Sequence, residues 1–128
     1  MENGMKRLLK LEEFGQFLLA IVLFVQLNYP WWFFPACLLL PDLSMIGYLL
    51  NDRVGAWTYN FFHHKLVAVI IMGSGYWSGI PVISLIGVIL LAHSSMDRIF
   101  GYGLKFKDSF NNTHLGKIGK EEYQKEVV

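Results

Sequence analysis

The sequence predicts an all-α integral membrane protein: a four-pass transmembrane helix bundle with both termini on the cytoplasmic side. Three observations lead there. Hydrophobic residues make up 54% of the 128-residue chain and mean hydropathy is +0.39, with the apolar residues laid out in long runs rather than alternating faces. Four such runs can be counted, 14–27, 31–50, 57–77 and 80–100, and the last three meet the requirement of about 20 residues for a hydrocarbon core of roughly 30 Å. The charges, although they sum to only +1, are segregated along the chain.

Taken in order, the first helix is expected over about 8–28. Leu8, Leu9 and Leu11 extend the shortest apolar run back into charged residues. A cleaved signal peptide is the rival reading, because Lys6, Arg7 and Lys10 precede a hydrophobic stretch. Against it, Asn28-Tyr29-Pro30-Trp31-Trp32 follows where a small-residue cleavage site would stand. The second helix is expected over 31–51, with a kink just before Asp42, since Pro41 cannot donate a backbone hydrogen bond and its ring disturbs the carbonyl of Cys37. The third is expected over 57–77 and the fourth over 80–100, the latter stopped by Gly101 and Gly103. Together they form a transmembrane domain, 1–106, followed by a polar cytoplasmic tail, 107–128, that reads as solvated and partly disordered or a short helix. The single cysteine, Cys37, excludes an intramolecular disulfide and reads as apolar packing.

Orientation follows from the cations. Lys6, Arg7, Lys10, Arg53, Arg98 and the lysines from 105 onward place ten of the eleven basic residues on one side of a four-pass chain, Lys65 being the exception. Cytoplasmic loops collect Lys and Arg, so both termini are expected in the cytoplasm. The two turns on the other side carry no charge but hold Tyr29, Trp31, Trp32, Tyr76 and Trp77, as an aromatic belt would. The glycosylation match at Asn111-Asn112-Thr113 then falls on the wrong side to be used. Nothing in the sequence suggests nucleic-acid binding.

Polar residues sit where such helices should be apolar. Asp42 stands in "LLLPDLSMIGYLL", Asn60, His63 and His64 in "WTYNFFHHKL", and His93, Asp97 and Arg98 in "LLAHSSMDRIFGYGLKF". At 1.5 Å per residue, Asp42 lies roughly 13 Å from the cytoplasmic end of its helix, His63 roughly 9 Å and His93 roughly 10 Å. Helices running in opposite directions thus bring these residues to one layer. His93 and Asp97 share a face, and Asn60 shares one with both His63 and His64.

A charged side chain at that depth costs at least about 2.5 kcal/mol, so the layer needs partners. Three readings stand. One is a structural polar network, with Asp97 orienting His93 and Arg98 paired to Asp42 or Glu13. The second is a site for zinc, manganese or iron, with Asp42, His63 or His64, His93 and Asp97 as ligands. In it Asp97 doubles as candidate catalytic base, and Arg98 is placed for an anionic substrate. The third is a proton or ion path, against which no ionisable group is expected in the outer half of any helix. Arg98, Lys105 and Lys107 could also hold an anionic head group, or simply sit at the negatively charged inner membrane surface.

The stretches "LLKLEEFGQFLLA", "FPACLLLPDLSMIGYLLNDRVGAWTYNFFHH" and "AHSSMDRIFGYGLKFKDSFNNTHLG" resemble the bacterial membrane family catalogued as domain-of-unknown-function 4260, over residues 7 to about 116. That resemblance implies a small four-helix protein of the bacterial cytoplasmic membrane. In pattern the chain is also similar to the membrane-bound metal-dependent hydrolases, which combine a Pro-Asp pair, histidines further on, and a His followed four residues later by Asp. Asp42, His63 or His64, His93 and Asp97 are the matching positions. Ser44 stands where those enzymes carry a further acidic residue. The similarity implies a metal-dependent hydrolase; for such an enzyme a phosphorylated or acylated amphiphile is the expected substrate class, since substrate would enter from the inner leaflet.

Overall fold

The computed structural model describes residues 3–105 and 111–117. Five α-helices and one 3-10 helix account for most of them: α1 (Asn3–Gln26), α2 (Phe33–Leu38), the 3-10 helix (Leu40–Leu49), α3 (Asp52–His63), α4 (Lys65–Ser78) and α5 (Pro81–Ile99). A two-stranded antiparallel hairpin, β1 (Asn112–Thr113) and β2 (Gly116–Lys117), closes the described chain. The all-helical expectation holds apart from this hairpin.

Two of the four expected helices are not continuous. The second divides at Leu39. Pro41 has no N–H for the Cys37 carbonyl, and Asp42 N–H turns back only as far as the Leu39 carbonyl at 3.2 Å. The third divides at His64, whose backbone is extended (φ −86°, ψ 123°) and whose Nδ1 caps α4 by accepting from Leu66 N–H at 3.2 Å. As a result, α5 is the one helix among the described residues long and apolar enough to cross a membrane by length and composition. α1 is longer at 24 residues, but its first half carries Lys6, Arg7, Lys10, Glu12 and Glu13.

α5 is the axis of the fold, flanked chiefly by α4 and α1, with α2 against it as well. It is buried almost all round from Leu85 to Ser95. Small residues permit this: a Cβ on Gly87 would lie 2.4 Å from the Met72 backbone nitrogen, and one on Gly75 would lie 2.2 Å from that of Ser84. The core gathers Ala20 and Phe24 of α1, Ala68 of α4, and Val88 to Ala92 of α5. Phe34 of α2 meets Phe17 and Phe24 of α1 edge-on at centroid distances of 5.9 and 5.3 Å.

The ends of the elements follow from local chemistry. Pro81, with φ already set for a helix, opens α5. Asn51 caps α3, its Oδ1 accepting from Val54 N–H at 2.8 Å. Gly101 (φ 89°) ends α5 in the left-handed conformation, so that Tyr102 N–H reaches the Asp97 carbonyl at 2.8 Å and Gly101 N–H reaches that of Arg98 at 3.2 Å.

The exterior is strongly apolar. Leu8, Leu11, Val25, Trp31, Leu43, Ile46, Leu49 and Trp77 are all exposed, whereas His63, His93, Ser84, Ser94 and Ser95 are buried. The chain is thus apolar outside and partly polar within.

Candidate metal centre

Both helix breaks face the C-terminal segment of α5, through the Leu38 and His63 carbonyls. A continuous second helix would use the Leu38 carbonyl for Asp42 N–H. Because that N–H bonds to Leu39 instead, the Leu38 carbonyl is open, and His93 Nδ1 lies 2.6 Å from it. His63 makes the equivalent bond within its own helix, Nδ1 to the Tyr59 carbonyl at 2.8 Å. A carbonyl only accepts, so each Nδ1 carries a proton, and in a neutral ring Nε2 is then left with a lone pair.

Those two Nε2 atoms face two carboxylates. His93 Nε2 is 3.0 Å from Asp42 Oδ1 and 3.3 Å from Asp97 Oδ2. His63 Nε2 is 3.5 Å from Asp42 Oδ1 and 3.4 Å from Asp97 Oδ2. One donor atom from each of Asp42, His63, His93 and Asp97 lies within 4.8 Å of every other, a set that could hold a metal ion. The His93–Asp42 contact is within hydrogen-bonding distance, whereas the other three exceed the roughly 2.7–3.2 Å of an N–H···O bond. His63 Nε2, though buried, has no hydrogen-bond partner among the described residues. By contrast, donors about 2.0–2.2 Å from a tetrahedral metal sit about 3.3–3.6 Å from one another.

The site is closed on one flank and open on another. The side chains of His93, His63 and Asp97 are 0%, 2% and 13% exposed, while that of Asp42 is 39% exposed. Tyr59, one turn before His63, stacks on its ring at a centroid distance of 3.8 Å, and its hydroxyl donates to Asp97 Oδ2 at 3.3 Å. Lys105 Nζ lies 4.6 Å from the centre of the Tyr59 ring. Burial holds that ammonium below the ordinary lysine value, against the pull of the Asp97 and Asp42 carboxylates. The backbone of Lys105 is gripped by Asn60, whose Oδ1 accepts from its N–H at 2.6 Å and whose Nδ2 donates to its carbonyl at 2.7 Å.

Of the residues singled out from the sequence, Asp42, His63, His93 and Asp97 come together, and His64 does not: its ring caps α4 outside the cluster. Arg98 pairs with neither Asp42 nor Glu13. Its Nη2 donates to the His63 carbonyl at 3.3 Å, an acceptor made available by the break at His64. Glu13 is ion-paired to Lys65, the lysine that stood apart in the charge pattern. Tyr59, the Leu38 carbonyl and the Asn60–Lys105 clamp escaped the sequence reading. Tyr59 was accessible to it, sitting four residues before His63 and therefore on the same helix face. Lys107 lies outside the described residues.

A family model described as "Domain of unknown function (DUF4260)" matches residues 6–118. No curated protein matches the chain, and no solved structure does.

Proposed function

The chain belongs to the DUF4260 family, and from that premise we propose that it is a four-pass protein of the cytoplasmic membrane that binds a divalent metal, zinc, manganese or iron, and hydrolyses a membrane-associated amphiphile. One observation carries the metal reading: both imidazoles hold Nδ1 on a backbone carbonyl and aim Nε2 at two carboxylates, which in the neutral rings turns two lone pairs toward them. Lone pairs facing carboxylate oxygens repel unless a cation lies between them. Fixing the tautomer through the far ring nitrogen is how metal-binding histidines are commonly oriented.

The exposures divide the two carboxylates. Asp97, enclosed and held by Tyr59, suits the role of ligand beside His63 and His93. Asp42, at the open flank, suits the role of base that takes a proton from water, rather than Asp97 as the sequence pattern suggested. A metal held there supplies Lewis acidity and lowers the pKa of a bound water toward neutrality. An apolar groove of about 250 Å³ runs beside the same flank. Its lining includes Pro41 and Phe62, the chain neighbours of Asp42 and His63, together with Ile89. It suits the hydrocarbon part of an amphiphile reaching the site from the bilayer. The membrane reading itself is supported by the apolar exterior and by the one-sided cations.

The competing reading, a structural ion-pair network, requires both imidazoles to be doubly protonated, since each Nδ1–H is already committed. Elemental analysis of purified protein separates the two. The metal reading expects about one divalent ion per chain, lost in His63→Ala and His93→Ala while both variants stay folded. A metal-free wild type, grown with metal and indifferent to chelators, would end the hydrolase proposal. The network reading then expects the variants to lose about 3–5 kcal/mol, the usual result of stranding a buried charge.

A further inference from the structure

We propose that a second cavity, between the start of α1, the end of α5 and the hairpin, is a binding site for a phosphate-bearing anion. Its volume is about 570 Å³, within the range of roughly 300–1,000 Å³ typical of small-molecule sites and larger than one bare phosphate needs. Lys6 and Lys10 line it from α1, Arg98 from α5 and His114 from the hairpin. Lys6, Lys10 and Glu13 fall at spacings of four and three, so a single face of α1 turns toward the cavity.

The charge in this cavity is unbalanced. Among the described residues, Lys6, Lys10 and Arg98 bring three cations to the lining, and its one acid, Glu13, is committed to Lys65. Arg98 spends Nη2 on the His63 carbonyl, while its Nε is buried with no acceptor among the described residues. Cations gathered at a concave wall repel one another and attract an anion of matching size. Phosphate oxygens are well matched to a guanidinium fork backed by ammonium groups. Leu9, between the two lysines, adds an apolar wall that a bare ion would not use but an ester group would.

Location adds a consequence. Arg98 is a wall of this cavity and is also hydrogen-bonded to the backbone of His63, whose ring points into the four-residue cluster. An anion held by Arg98 therefore lies beside the candidate metal centre. The cavity stands as an anion site whether or not a metal is bound. Where the metal reading also holds, it is the seat of the substrate's head group.

The test uses full-length protein in neutral detergent, titrated by calorimetry with inorganic phosphate and separately with dihexanoyl phosphatidate. Wild type is expected to bind at least one probe. Phosphate bound as tightly as phosphatidate assigns the site to free phosphate compounds; phosphatidate alone assigns it to a lipid head group. Lys10→Gln should weaken binding at least about tenfold, through loss of a charge-assisted contact. Arg53→Gln, which removes the same charge away from the cavity, should change it less than about twofold. Binding of neither probe, or equal losses in the two variants, overturns the proposal. Metal content measured on the same samples keeps the readings separate: a metal-free protein that binds phosphate defeats the metal centre and leaves the anion site standing.

Discussion

His93 Nδ1 lies 2.6 Å from the carbonyl of Leu38, a residue 55 positions away in the chain. The contact exists because Pro41 interrupts the helix after Leu38 and leaves that carbonyl without its usual N–H. One proline thus orients the ring of a histidine on another helix, and with it the Nε2 that faces Asp42 and Asp97.

Pro41→Ala should therefore act on the candidate metal centre without touching it. With an N–H restored at position 41, the helix can run on, and Asp42 N–H can reclaim the Leu38 carbonyl. Metal affinity is expected to fall about ten- to a hundredfold, the usual effect of losing an outer-shell partner. Thermal stability should hold or rise. Competition against a graded chelator reads the affinity, and an unchanged value would show that the carbonyl does not orient the ring.

The α4–α5 contact predicts a different loss. A Cβ on Gly87 would stand 2.4 to 2.6 Å from Met72 backbone and side-chain atoms, closer than any real contact. Gly87→Ala should cost about 1–3 kcal/mol by forcing the helices apart. Gly73→Ala, where nothing lies within 4 Å, should be neutral or slightly stabilising. Denaturation midpoints in the same detergent compare the pair, and equal values would disprove tight packing at Gly87.

Topology can be checked directly. A reporter fused after Val128 and one inserted after Tyr29 should lie on opposite sides of the membrane, the former in the cytoplasm. Reporters found in the same compartment would defeat the four-pass arrangement.

These cases also show how far the sequence could be read. Periodicity and depth brought Asp42, His93 and Asp97 to one layer, because helical rise is nearly constant whatever the tertiary context. The break at Leu39 was visible as Pro41. The break at His64 was not, since no proline or glycine marks it; the ring of His64 itself caps α4, and only the packed structure favours that over a continuous turn. The same break decides which of the adjacent histidines points inward, a question spacing leaves open. The hairpin at 111–117 was hidden for a related reason. What holds it near the bundle is long-range: Lys105 bridges Thr113, and Asn60 grips the backbone of Lys105.

That grip predicts the effect of Asn60→Ala. Both backbone groups of Lys105 would lose their partner on α3, at about 1–3 kcal/mol for each polar group left unsatisfied. The result should be local, with faster amide exchange at Lys105 and Thr113 and little change in α4 or α5. Uniform loss of protection across the helices would contradict a role confined to the hairpin.

The hairpin should also respond to acid. His114 Nδ1 accepts from Leu104 N–H at 2.8 Å, which requires the ring nitrogen to be unprotonated. Partial desolvation of this largely exposed ring, and secondarily the positive charge of Arg98, hold the imidazole below its ordinary value near 6.5. A group whose pKa is depressed on folding contributes its full stability above the unfolded value and loses it as pH falls. Docking of the hairpin should thus be complete at pH 8 and weaken progressively below about pH 6.5, as the unfolded state takes up protons that the docked state resists. Amide exchange at Leu104, followed from pH 8 to pH 5 and corrected for intrinsic rates, should lose protection over that window. His114→Gln should remove the pH dependence, because an amide side chain does not titrate. Protection that stays constant in wild type, or a dependence that survives in His114→Gln, would show that the hairpin is held by other contacts.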